Sequence, residues 1–167
     1  MVAIPQGVTV AVSGQKVSVK GPKGASEREF KVKGLVIKSD GASVAVSEKD
    51  GAKLGPAILN TVESHITNMV KGAAEGYEKK MRVVYAHFPI SLETKGNKFV
   101  IKNFIGEKKS REAVIVGATK IAVKGQDVTV SGPSKEDVGQ TVSNIRAAVK
   151  IRNRDPRMFQ DGLYLVA

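Results

Sequence analysis

The chain has 167 residues, 41 % of them hydrophobic, enough apolar material for a packed core and too much for a disordered chain. Its 27 Lys and Arg outweigh 16 Asp and Glu, a formal charge of +11 that puts polyanions first among partners: RNA, DNA or an anionic membrane surface. No cysteine occurs, so disulfides, thiolate metal sites and cysteine nucleophiles are excluded, in keeping with a reducing cytosol.

The first residues, MVAIPQGVTV, carry neither the charged region nor the long apolar region of a secretion signal. No later run approaches the ~18 apolar residues of a membrane span, so the expectation is a soluble intracellular protein. Residues 8–21, VTVAVSGQKVSVKG, alternate apolar and polar positions on either side of Ser13-Gly14-Gln15-Lys16 and predict a β-hairpin. Residues 35–47 predict a second, turning at Asp40-Gly41, and residues 21–29 between them read as a loop. From Gly55 the period changes. Ile58, Val62, Ile66 and Met69 are spaced by three or four, which is one face of a helix. Pro56 suits its first turn, where no N–H is missed, and Gly72 marks its predicted end. Residues 76–85, GYEKKMRVVY, read as a strand closing this half.

The pattern then starts again. Residues 90–102 predict a hairpin turning at Gly96-Asn97, and residues 113–132 supply further strand with a turn at Gly125-Gln126-Asp127. Residues 134–150 predict a helix with Val138, Val142, Ile145 and Val149 on its apolar face. Ser134 and Asp137 resemble a capping box, with Asp where Glu or Gln is usual. GLYLV, residues 162–166, is the closing strand. Ile4-Pro5 answers Phe88-Pro89, Lys16-Val17 answers Lys98-Phe99, and Val44 and Val46 answer Val128 and Val130. Gly76-Tyr77 likewise answers Gly162-Leu163. The expected fold class is α+β: two tandem similar domains, residues 1–85 and 86–167, each a small antiparallel sheet packed with one helix. The rival reading is one continuous α+β domain of the same content. Halves of ~80 residues have thin cores, so the helix faces matter to each.

A repeat lets one half serve as the control for the other. Helix and closing strand are joined in the first half by the short, nearly neutral KGAAEG, residues 71–76. In the second half the join is KIRNRDPRMFQDG, residues 150–162, with Lys150, Arg152, Arg154 and Arg157 against Asp155 and Asp161. A connection of this kind needs no such charge, so the added cations point to binding. The arginine fork holds phosphate oxygens bidentately at any relevant pH. Lys150 and Arg152 can also answer the dipole of the helix end; Arg154 and Arg157 lie beyond its reach. Asp155-Pro156 stiffens the loop. Met158 and Phe159 are expected to anchor it to the sheet, with stacking of Phe159 on a base as the alternative.

Lys108, Lys109 and Arg111 form a second basic group in NFIGEKKSRE, residues 103–112. Its first-half counterpart, residues 21–29, carries Lys23 and Arg28. Lys20, Lys23, Arg28 and Lys98 make a second rank of RNA-binding candidates, and a solvated loop of mixed charge is the plain alternative for both loops. Aromatics are only 5 % of the chain, too few for a row of stacking platforms, so the expected target is folded RNA or duplex backbone read by shape and phosphate contact.

Enzyme signatures are missing from the sequence. His65 lies at the edge of the first helix's apolar stripe and reads as a packing residue rather than a base, and His87 falls in the link between halves. The two histidines have no metal-ligand spacing, and no P-loop or nucleophile elbow occurs. VKGPKG, residues 19–24, is glycine-rich but opens no helix.

The second helix leading into IRNRDPRMFQDGLYLV, with NFIGEK at 103–108, VKGPKG near the start and GYEKKMRVVYAHFP at the midpoint, closely resembles the family of ribosomal protein six of the large subunit. In eukaryotes that family is called ribosomal protein nine, and the archaeal and eukaryotic branch fits best. The resemblance covers essentially the whole chain. It implies two tandem copies of one α+β domain and binding to large-subunit ribosomal RNA, mainly through the C-terminal domain, near the sarcin–ricin loop and the surface where translation factors act. It implies a cytoplasmic monomer within the ribosome, in contact with neighbouring ribosomal proteins, with no cofactor, no membrane and no enzymatic activity. The RNA-facing stretches it implies are Lys108 to Arg111 and Lys150 to Arg157. The alternative from another class is a two-domain scaffold that docks acidic protein partners.

Overall fold

A computed structural model describes residues 2–41, 43–49, 55–85, 88–155 and 157–166. The chain divides into two bodies. The first runs to Gly76 and takes in Pro133–Lys135; the second holds Tyr77–Gly132 and the chain from Glu136 onward. His87 and Pro156, both singled out in the sequence, lie outside the described residues.

The first body begins with a short strand β1 (Val2–Ala3) and a meander of β2 (Thr9–Ser13), β3 (Lys16–Gly21) and β4 (Gly24–Glu29). The hairpin β5 (Leu35–Ser39) and β6 (Ser43–Glu48) follows, then helix α1 (Pro56–Ala74). The strands form two antiparallel sheets, β2-β3-β4 and β1-β6-β5. β4 is a correction to the expected loop at 21–29: its side chains alternate between half-buried and exposed, and the connection shrinks to Pro22-Lys23. Val17 and Val19 from β3 and Val44 from β6 share one core with Val62, Ile66 and Val70 of α1. Ile58, expected on that face, is 40 % exposed. Pro56 starts the helix as expected. Its end differs from the prediction. Gly72 is buried inside the helix, and Gly76, with φ 80°, provides the left-handed residue that ends it.

The second body consists of β7 (Tyr77–Val84), the meander β8 (Ser91–Lys95), β9 (Lys98–Lys102) and β10 (Arg111–Val114), and the hairpin β11 (Lys120–Lys124) and β12 (Asp127–Gly132). Helix α2 (Lys135–Ala148) and β13 (Gly162–Leu165) complete it. A 3-10 turn, Phe104–Gly106, interrupts the β9–β10 connection. The sheets are β10-β9-β8 and β11-β12-β7-β13, all antiparallel. Phe99, Ile101, Phe104, Met81, Val128, Val130 and the predicted α2 face meet in one core.

β7 does not close the first half. It pairs with β12 on one side and β13 on the other, and its Met81 and Val83 are buried in the second core. The boundary expected between residues 85 and 86 therefore lies at Gly76. The reason is visible in the order of elements: β7 stands beside β12 as β1 stands beside β6. Each half is strand, meander, hairpin, helix, and β13 is an addition with no counterpart among the described residues of the first body.

Candidate nucleic-acid interface

The two basic segments, separate in sequence, meet at Arg111. Its Nε and Nη2 donate to Glu107 Oε2 and Oε1 at 2.8 and 2.6 Å, a bidentate pair. Its Nη1 donates to the carbonyls of Ala148 and Lys150, at 2.9 and 3.0 Å. The guanidinium lies 4.5 Å over the ring of Phe104, itself buried. One side chain thus fastens the 103–110 connection to the end of α2 and to the start of the 150–161 segment. Arg111 brings a cation to the negative end of α2, where Arg146 already stands in the last turn, and donates directly to the carbonyls there. The guanidinium beside Glu107 holds its carboxyl below the usual carboxylate range, chiefly through the hydrogen bond, and the charge of Arg154 acts in the same direction.

Around this lock the loops are shaped by unusual backbone. Asn103 and Ile105 have φ of 57° and 51°, and Gly106 has 73°. A left-handed isoleucine is strained, because its branched Cβ crowds the following carbonyl. The burial of Phe104 and Ile105 offsets that strain and turns the chain so that Lys108 and Lys109 stay exposed. In the other segment Asn153 is left-handed (φ 58°), and Asp155 Oδ1 accepts the N–H of Arg157 at 2.9 Å. The Asp155 carbonyl accepts from Met158 and Phe159. Ile151 and Phe159 pack against the core and pin the segment at both ends, while Met158, expected as an anchor, is 65 % exposed. Arg154 lies 4.8 Å over the Phe159 ring, so that ring serves as an anchor and as a cation platform.

The structure sorts the predicted cations. Lys108, Lys109, Lys150, Arg152 and Arg157 are exposed and make no side-chain hydrogen bond or ion pair among the described residues; exposed Arg154 is steadied by its ring. Asp161, counted in the sequence as a countercharge, is buried at 2 % exposure and is not part of the segment's exposed surface. Arg111 is committed to internal bonds. Lys98 donates to Glu112 at 2.7 Å across the β9–β10 pair. In the first body Arg28 Nη1 sits 3.2 Å from Nδ1 of half-buried His65, and its Cζ lies 5.7 Å from the Phe30 ring centroid, in keeping with a packing role for that histidine. Lys20 on β3 and Lys23 in the Pro22-Lys23 turn are exposed.

Sequence reading missed Glu107 and Phe104, the acid and the ring that hold Arg111. The four-residue spacing of Glu107 and Arg111 was the available signal. Among the described residues no His, Cys, Asp and Glu group could hold a metal ion, and no helix is long and apolar enough to cross a membrane.

A family model described as Ribosomal protein L6 matches residues 4–76 and again 88–162. The chain is 48 % identical over 167 residues to the large ribosomal subunit protein uL6 of Methanocella arvoryzae, covering 99 % of this chain and 94 % of that one. It is 46 % identical over 165 residues to the uL6 of Methanosarcina mazei, at 99 % and 94 % coverage. The uL6 of Aeropyrum pernix is 42 % identical over 165 residues, at 98 % and 91 % coverage. With a model that matches once in each half and relatives of this identity along nearly their whole length, the chain belongs to the ribosomal protein L6 family.

Proposed function

We propose that the chain is a structural constituent of the large ribosomal subunit in the cytoplasm and binds large-subunit ribosomal RNA through the basic loops of its second body. Its place is near the sarcin–ricin loop, beside the surface where translation factors act, with ribosomal proteins as its other neighbours. The observation that carries this reading is the Arg111 lock. It joins two loops into one rigid surface on which Lys108, Lys109, Lys150, Arg152, Arg154 and Arg157 are left for phosphate. Cations carried on a backbone pinned at both ends lose less freedom on binding a shaped RNA than cations on a flexible tail, which suits folded RNA.

Binding of the chain to a large-subunit ribosomal RNA transcript, measured from 50 to 200 mM salt, tests it. If about four phosphates are neutralised, the log–log slope is roughly −3 and affinity falls roughly 60-fold over that range. Nuclease treatment should release the chain from large particles. Salt-insensitive affinity, or complexes that survive nuclease, would instead support the scaffold for acidic proteins.

A further inference from the structure

The four-stranded sheet of the second body has one face turned to its core, with Met81, Val83, Val128, Val130 and Leu163 buried. The register sets the opposite residues on the other face. Tyr164 stands across from Arg82, Arg82 from Asp127, and Asp127 from Lys124; Gly162 stands across from Val84. The N–H of Val166 donates to the Lys80 carbonyl at 2.9 Å, which continues the pairing one step beyond β13. Val84, Tyr164 and Val166 therefore lie together at the β7–β13 side of this face, 42 %, 51 % and 45 % exposed. Tyr164 is held in place. Its hydroxyl donates to the Gln160 carbonyl at 2.8 Å, and its ring tip covers Gly162, where a Cβ would come within 3.2 Å of the ring. Arg82 is steadied by Asp127 at 3.1 Å; Lys80 (3.8 Å from Glu78), Lys120 and Lys124 stand on the same face, so its cations outnumber its two carboxylates.

The two edges of this sheet are unlike. β11, with sequence KIAVK, has a lysine at each end; β13, with sequence GLYL followed by Val166, has neither charge nor proline. Exposed edges are usually blunted by such residues, because an apolar edge associates. The unguarded edge lies beside the exposed tyrosine and valines.

We propose that this patch docks a neighbouring protein of the large subunit, one that presents an apolar contact ringed by carboxylates. The inference rests on the reading that the chain sits in that subunit. A protein fits better than RNA, because Val84 and Val166 offer nothing to phosphates or base edges and are served by apolar burial. Tyrosine and arginine are both among the residue types enriched at the centres of protein interfaces, and the lysines supply a rim complementary to acid.

The test uses purified large subunits that contain the chain, treated with a carbodiimide that joins lysines to adjacent carboxylates. The expected result is coupling of Lys80 or Lys124 to Asp or Glu of one particular subunit protein, with both lysines protected from acetylation relative to the free chain. Substituting Tyr164→Lys together with Val166→Lys at these exposed positions should abolish the coupling, while affinity for the RNA transcript stays within about twofold or rises with the added charge. Ultraviolet crosslinking of Tyr164 to a nucleotide would overturn the proposal. So would equal acetylation of Lys80 and Lys124 in subunits and free chain, or coupling that survives the double variant. These outcomes are read in subunits that already hold the chain. A chain absent from subunits, or salt-insensitive toward RNA, would instead bring down the parent reading and this one with it.

Discussion

The chain builds the same corner twice, where the strand-to-strand turn of the meander meets the end of the helix. In the first body the contact is made by backbone: the Lys23 N–H donates to the Ala73 carbonyl at 3.1 Å. Gly21 is required there, because a Cβ would collide with that same carbonyl. In the second body the turn is longer and the contact is made by a side chain, Arg111, reaching Ala148 and Lys150. A backbone cap demands close approach and leaves only a tight turn at the surface. A guanidinium spans a gap, and that gap accommodates two extended basic loops. The difference shows how a duplicated fold can cap one corner in two ways without altering its core: a backbone N–H serves in the first body, a side chain in the second, and exposed cations stand on the loops beside it.

The two bodies are most vulnerable in their cores. Val142→Asp, at a position 4 % exposed, buries an unpaired carboxylate and should remove the thermal transition of the second body; Val62→Asp, at 3 % exposed, should do the same to the first. A melt with only a minor loss would count against these helix faces. Next in size, Arg111→Ala leaves Glu107 and two carbonyls without their donor and should cost roughly 1–3 kcal/mol in denaturant unfolding, most of it from the carbonyl bonds since the ion pair is partly exposed. Arg111→Lys should not restore it, since an ammonium lacks the planar fork. In the first body the matching lesion is Gly21→Ala, expected at about 2 kcal/mol, whereas Lys23→Ala keeps the backbone donor and should stay within about 0.5 kcal/mol. Equal costs for Lys23→Ala and Arg111→Ala would mean the two corners are capped alike.

Smaller effects sharpen the functional side. Arg154→Ala with Arg157→Ala should weaken RNA transcript binding and reduce the salt slope by about 2. Lys23→Ala with Arg28→Ala should do less, since Arg28 is engaged with His65. Equal losses would show that both corners touch RNA. Smallest is a pH effect. The carboxyl of Glu107 is held low in the folded chain, so its stabilisation is complete above the ordinary carboxylate value near 4.3 and is lost as pH falls through the lower folded value. Glu107→Gln should flatten that acid decline in the second body's melting temperature. The backbone-capped corner, whose contact has no titrating group, should show no such component.

Much of the fold was legible in the residues themselves. Alternation in VTVAVS and KVSVKG, and the three-and-four spacing of Val138, Val142, Ile145 and Val149, are local signals, and the strands and helices appear where those periods place them. Residues 24–29 misled because GASERE has no large apolar side chain; it is a strand by virtue of pairing with β3 along its whole length. Met158 misled because an apolar side chain in a loop need not face the core.

The sequence by itself determined the doubled α+β plan, the absence of cysteine chemistry, and the basic character of the 150–162 join against the nearly neutral 71–76, because period, composition and charge are properties of short stretches. Tertiary structure alone decided which body owns Tyr77–Val84, since the apolar pattern of a strand satisfies any core that lies beside it. It also decided which cation in the Lys108, Lys109 and Arg111 group is internal. Arg111 bonds to carbonyls 37 and 39 residues away, a distance that no local pattern encodes. The basic loops are distinct in the chain and a single surface in the fold, because one arginine is held by both.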